Sequence, residues 1–321
     1  MLLGGFTVTR GFARLVDMAP SAKNFPKKFD VDNTPAIASR DNRWLKRFRA
    51  ALSGERDADG MIGVEGVRMV EAALGSRLAV DALLVSDSGA RHLERLAPLL
   101  AEGARILRTS DRLFAGVADT QSPQGIAALV QLPVATMEQL AQPGTLIVAL
   151  VGVQDPGNVG TIVRAADAFG ASGVAACNAG RLGTADPFGP KALRASAGSA
   201  LRLPIVRGIS ATALIDKLHS ARVKIYAAVA PTDARDSKPA GRENASLPPS
   251  APWDFDWTAA SAILIGNEGA GLPAEIVSAA DALVYVPQSA SSALVGIESL
   301  NAAMAASVLL YEAMRQRRKA R

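Results

Sequence analysis

The stretch SAILIGNEGAGLP, residues 261–273, carries an apolar run directly into a glycine-spaced turn that a proline closes. Ser261–Ile265 reads as a strand buried on both faces, because it is apolar without alternation. Gly266, Gly269 and Gly271 then recur around a lone Glu268. Glycines at this density bring backbone close to something, and two partners fit: a ligand, or a tightly packed strand and helix. Segments of the same apolar kind are TLIVALVGV (145–153), GVAAC (173–177), LPIVR (203–207), VKIYAAV (223–229) and ALVYVP (282–287). Helical patterns lie between and after them, around 191–200, 211–220 and from about 299 onward, so the expected architecture is α/β, a mostly parallel sheet covered by helices. Ligands of such sheets bind beyond the carboxyl ends of the strands. The loops after 145–153, 261–265 and 282–286 are therefore where chemistry is expected.

Upstream, residues 41–136 form a smaller α/β unit. NRWLKRFRAAL (42–52) spaces Trp44, Leu45, Phe48 and Leu52 as a helix does, MIGVEGVRMVEAAL (61–74) runs from strand into helix, and VDALLVSD (80–87) and GARILRTS (103–110) read as strands. The unit closes at DTQSPQGIAALVQLP (119–133), a Ser-Pro turn leading into a strand, and the domain boundary is expected near 137–144. Residues 1–40, basic and poor in acids at the start, read as a flexible or misassigned extension with a weak likeness to a transit peptide. The Pro-, Ser- and Asp-rich run 231–257 reads as a long surface excursion.

The chain has 321 residues, 49% of them hydrophobic, enough for two full cores. It lacks an apolar run of about 18 residues and the layout of a signal peptide, so no membrane association is expected. A single cysteine, Cys177, excludes an internal disulfide, and with only two histidines no metal site is expected. These features suit a reducing, cytoplasmic location. The net charge of +5 suits a polyanionic partner. It is concentrated in RWLKRFR (43–49) and RQRRKAR (315–321); the latter also fits plain helix-end cations. Aromatic residues are 5% of the chain, too few for a single-strand stacking platform.

The three loops read QDPGNVGTIVRAADAFG (154–170), GNEGAGLP (266–273) and PQSASSALVGIESLNAAMAASVLLYE (287–312). In the first, a turn at Asp155–Gly157 precedes a helix starting at Asn158 that buries Val159, Ile162, Val163, Ala166 and Phe169 and leaves Arg164 off the apolar stripe. A Rossmann reading fails, since no G-x-G-x-x-G follows the first strand and no acid stands about 20 residues on. In order and content the loops resemble the three motifs of the SpoU family of the SPOUT RNA methyltransferases. The likeness covers about residues 145–315, and TQSPQGIAALV with the unit around it is similar to the RNA-binding domain that often precedes them.

The resemblance implies a deep trefoil knot in the C-terminal domain, residues 145–321, S-adenosylmethionine as cofactor, and methyl transfer to a ribose 2′-hydroxyl in RNA, ribosomal RNA more than transfer RNA. It places Ile265, Gly266, Asn267, Val286, Pro287 and Leu300 at the cofactor, partly through main chain. Asn158, Arg164, Glu268, Ser299 and Asn301 match its catalytic positions: Arg164 orienting the target phosphate or easing proton removal, Asn158 and Glu268 fixing the arginine and the loops, Ser299 and Asn301 capping the last helix or facing the pocket. RNA binding is assigned to Arg43, Lys46 and Arg47. The resemblance further implies a homodimer, with Leu300, Met304, Val308 and Tyr311 as spare apolar surface. The third motif departs from the family: Gln288 stands for an apolar residue, and ten residues, SASSALVGIE, precede Ser299 where about five are usual. A knotted RNA-binding protein without methyl transfer, or a base-modifying relative, would be the alternatives.

Overall fold

The computed structural model describes residues 36–320 except 57–58, 77, 102, 181, 231–247 and 290–299. Its first sheet contains β1 (Ala36–Ile37), β2 (Met61–Glu65), β3 (Val80–Ser86), β4 (Ile106–Thr109) and β5 (Ile126–Gln131), in the order β1-β4-β3-β5-β2. β5 is antiparallel to β2 and β3, and β4 is parallel to β3 and β1. Alternation decides which helix covers which face. Met61, Ala82, Leu84, Ala127 and Leu129 meet Leu45, Phe48 and Leu52 of α1 (Arg43–Leu52). Ile62, Val64, Leu83, Val85 and Ala128 join the core that holds Met69, Val70 and Ala73 of α2 (Val67–Gly75). Short helices α3 (Leu93–Leu96), α4 (Asp111–Ala115) and α5 (Met137–Leu140) complete the stretch up to the second sheet. The folded unit begins before residue 41: β1 pairs with Arg108 and Thr109 at the sheet edge, and a strand of two residues leaves no periodicity to read.

The second sheet contains β6 (Leu146–Val151), β7 (Gly173–Ala179), β8 (Leu182–Gly183), β9 (Ile205–Ser210), β10 (Lys224–Ala228), β11 (Ser261–Ile265) and β12 (Ala282–Val284). The order is β12-β10-β11-β6-β7, with β9 beside β7 and the small β8 hairpinned onto it; every pairing except that of β8 is parallel. All residues of β6 and β11 are buried, as their continuous apolar runs require. The helices are α6 (Pro156–Ala168), α7 (Pro190–Ser196), α8 (Ala211–Ser220), α9 (Ala274–Ser278) and α10 (Ala302–Lys319). The parallel arrangement sends the loops after β6, β11 and β12 out of one edge.

Two sequence expectations change. The described end of the 231–257 stretch is not all surface: Trp257 is fully buried, stacks at 4.3 Å on Tyr226, and donates its indole N–H to Pro252 O (2.6 Å). The C-terminal basic run is partly structural. Arg317 donates to Trp257 O, Gly144 O, Thr145 O and Ala259 O at 2.6–2.9 Å, tying α10 to the entrances of β6 and β11. Arg315 holds Glu312 (2.7 Å).

Candidate active site

The helix after β6 starts two residues earlier than its composition suggested. Asp155 is the cap, accepting the Gly157 amide (2.8 Å), and Pro156 takes the first helical position, where its missing N–H costs nothing. Val159, Ile162, Val163 and Ala166 are buried and Arg164 is exposed, as the spacing implied, whereas Phe169, at the helix end against Tyr311, is only half-buried. At Gly160 a Cβ would stand 2.2 Å from Ala192 O, so only glycine lets α7 approach this closely.

Glu268 binds the loop after β11 to the loop after β6. Its carboxylate accepts the Gln154 amide (3.1 Å), the Asp155 amide (3.1 Å) and the Asn158 side-chain amide (2.9 Å). Asn158 Oδ1 in turn accepts from Asn301 Nδ2 (3.0 Å), which brings in the third loop. Asn301 is also the N-cap of α10, accepting the amides of Ala303 (2.9 Å) and Met304 (3.3 Å). One chain of polar contacts, Glu268–Asn158–Asn301, thus connects all three strand ends. Desolvation would raise the Glu268 pKa; the bonds from Asn158, Gln154 and Asp155 and from its own backbone outweigh it and hold the carboxyl below its ordinary range. Asp155 is also lowered, by the Lys191 ammonium at 2.9 Å and the Gly157 amide.

The turn at 267–271 closes on itself. Asn267 and Gly271 exchange backbone hydrogen bonds (3.0 Å each), and Asn267 donates its side-chain amide to Gly152 O (2.9 Å). A Cβ on Gly266 would stand 2.4 Å from the Gly271 carbonyl carbon and 2.6 Å from Leu272 N. The turn's own packing therefore requires this glycine, before any ligand is considered. Ile265 is buried, Gly266, Asn267, Val286 and Leu300 are half-buried, and Pro287 is exposed. At the same strand edge Gln288 Nε2 is shut away from solvent without a hydrogen-bond partner among the described residues. Ser299 lies outside the described residues.

Arg164 is not held by Asn158 or Glu268; it makes no hydrogen bond or ion pair with a described residue. Helix geometry gives the reason: six residues separate Arg164 from Asn158, about 120° apart around the axis and about 9 Å along it. On α1, Arg43 and Lys46 are exposed, but Arg47 is turned inward, paired with Asp81 and with Asp59 (3.2 Å). Arg43, Arg47 and Arg105 also lie 4.9–5.7 Å from the Trp44 ring centre. Lys191 escaped the sequence reading because its partner Asp155 lies 36 residues away. Cys177 is buried and its thiol is pushed up to about 12 by desolvation, so it offers no nucleophile.

A model of the SpoU rRNA Methylase family matches residues 145–311, and one of the MRM3-like substrate binding domain matches residues 49–128. The chain belongs to the SpoU rRNA methylase family. It is 32% identical to the 23S rRNA (guanosine(2553)-2′-O)-methyltransferase RlmP of Bacillus subtilis, over 86% of this chain and 97% of that one. It is 33% identical to the 23S rRNA (uridine(2479)-2′-O)-methyltransferase of Streptomyces viridochromogenes, over 89% and 95%. The crystal structure of an AdoMet-bound rRNA methyltransferase from Sinorhizobium meliloti superposes with a TM-score of 0.71 at 29% identity, covering 88% of this chain and 98% of that one. Glu268, Asn158 and Asn301 all lie within the residues that the SpoU family model matches.

Proposed function

We propose that this SpoU-family chain transfers a methyl group from S-adenosylmethionine to the 2′-hydroxyl of a ribose in ribosomal RNA. The observation that carries the reading is the contact chain Glu268–Asn158–Asn301, which assembles three loops far apart in sequence at one edge of a parallel sheet. The two relatives with named positions act on a guanosine and a uridine of 23S rRNA. A shared ribose chemistry on different bases favours the sugar as the recognised group.

The residues present fit the cofactor. The glycine-rich turn after β11 and the half-buried Gly266, Asn267, Val286 and Leu300 offer backbone to an adenosine, and Gln288 Nε2, without a partner among the described residues, offers a donor to an acceptor-rich ligand. When bound, S-adenosylmethionine supplies a methyl group on a sulfonium, which a correctly aligned oxygen can take. Glu268 and Asn158 keep the loops in register. Arg164 binds and orients the phosphate of the target ribose; as an arginine it stays protonated, which suits this role better than that of a base.

The trefoil knot and the homodimer belong to the same proposal. β11 fills the place between β10 and β6 after β10 has been laid down, and the chain returns from the edge strand β12 to α10, which packs on α6; this topology suits a threaded C-terminus. On α10, Met304, Val308 and Tyr311 are 63%, 42% and 52% exposed at helical spacing, an apolar strip suited to a second copy. Arg164 points about 120° around α6 from its own Asn158, which suits service in a partner's site.

The test is transfer of labelled methyl groups from S-adenosylmethionine by the purified protein to deproteinised ribosomal RNA, with transfer RNA in parallel. Label in ribosomal RNA in excess of transfer RNA is expected. No transfer to either would overturn the reading.

A further inference from the structure

We propose that α7 sets the RNA-binding domain in register with the motif-one helix, and that Arg194 is a positioning residue for methyl transfer, acting through its ion pair with Asp119. The proposal rests on the methyltransferase reading above. One side of α7 and its flanks grips α6 along its length. Lys191 holds the cap residue Asp155 (2.9 Å), whose amide is bound by Glu268; Ala192 O occupies the place a side chain on Gly160 would take; and Arg202, just beyond, holds Asp167 (2.7 Å). The helix that carries Asn158 and Arg164 is therefore fixed at both ends and in the middle from this one segment.

The other side of the same segment grips the N-terminal domain. Arg194 pairs with Asp119, and Asp186, four residues before α7, accepts from Arg56 (2.6 Å) of the N-terminal domain and from Arg207 (3.1 Å) of β9. Gly198 lies against Ala72 of α2, where a Cβ would come within 2.5 Å. Asp119 is itself anchored: Glu65 of β2 accepts the amides of Asp119 (2.8 Å) and Thr120 (3.4 Å) and the Thr120 hydroxyl. The ion pair thus runs from the DTQSPQG loop to α7. Met69 and Val70 share one buried core with Leu193 and Leu201, and a small cleft lined by Leu52, Met69, Leu193 and Arg194 remains along this seam, so the ion pair acts at the rim of a packed contact.

The Arg194 and Asp119 side chains are 44% and 32% exposed. A pair in this setting adds little to stability, but it defines an angle. RNA held on the N-terminal domain reaches the site with an error set by that angle, and misplacement of about 1 Å costs about 10²-fold in rate.

The experiment uses Arg194→Ala, Asp119→Ala, and the exchanged double variant Arg194→Asp with Asp119→Arg, with Arg194→Lys if Arg194→Ala melts early. Melting temperature, calorimetric affinity for S-adenosylmethionine and RNA affinity are expected to match the parent. The single-turnover rate at saturating RNA and cofactor is expected to fall by about 10- to 100-fold in the single variants. The exchange is expected to restore most of it. A parent-like saturating rate in both single variants would overturn the proposal. So would a loss confined to RNA affinity, which would make Arg194 an RNA contact, or an exchange that restores nothing. A parent without methyl transfer would overturn the functional reading, and the proposal with it.

Discussion

Glu268 stands among three donors from motif one, and its charge, not its bulk, is what they require. Glu268→Gln keeps the shape but turns an amide N–H₂ toward at least one N–H, so the register of the loops is lost while the core is untouched. Activity is expected to fall by about 10²-fold with little change in melting temperature. Because the folded-state pKa of Glu268 is depressed, its contribution is whole above the ordinary glutamate range and is lost as pH falls through the depressed value. Cofactor affinity is therefore expected to be flat through neutral pH and to drop only at the acid end. Asp155 shares that direction, so Glu268→Gln should weaken the acid limb without abolishing it. A transition near neutrality that Glu268→Gln removes would contradict this assignment. Arg164→Ala should bind cofactor like the parent and lose its single-turnover rate at saturating RNA; a retained rate would make it a surface residue. Asn158, Glu268 and Asn301 stand out in the sequence as polar residues of the loops that follow the strands. Their contacts were not legible there, since they span 110 and 143 residues and no local pattern encodes a pairing at that range.

Elements were legible where one force dominated. β6 and β11 announced themselves as continuous apolar runs, and α1 and α6 as helical stripes. Elements held by tertiary contacts were not: β1 exists because β4 offers an open edge, and Trp257 is buried because Tyr226 and Phe255 receive it. The sequence reading of Arg47 as a phosphate contact shares this origin, because Asp81 and Asp59 lie elsewhere in the chain. Neutralising Arg43 and Lys46 is accordingly expected to reduce the salt slope of RNA binding by about 0.7–0.9 for each phosphate left without its cation. Arg47→Ala should act chiefly on stability; binding titrations across salt separate the two. At the contact of α6 and α7, Gly160→Ala forces its methyl against Ala192 O and is expected to cost about 1–3 kcal/mol in urea unfolding. An unchanged midpoint would mean that the two helices separate easily.

At the scale of the molecule, the alternation of strands and helices revealed two α/β units, but the strand order of the second sheet is set by long-range pairing and could not be read. The placement of Arg164 about 120° around α6 and about 9 Å along it from Asn158 makes a prediction about assembly. If each site takes its arginine from a second copy, Arg164→Ala and Glu268→Gln chains, each strongly impaired alone, should regain activity when refolded together, since one site of the mixed dimer has both groups. Met304→Asp with Val308→Asp should give monomers by light scattering and abolish that rescue. Alkaline hydrolysis of the labelled ribosomal RNA identifies the atom that receives the methyl group, because cleavage requires a free 2′-hydroxyl. Label recovered in an alkali-resistant dinucleotide is the predicted result; label released as a mononucleotide would place the methyl group on a base and contradict it.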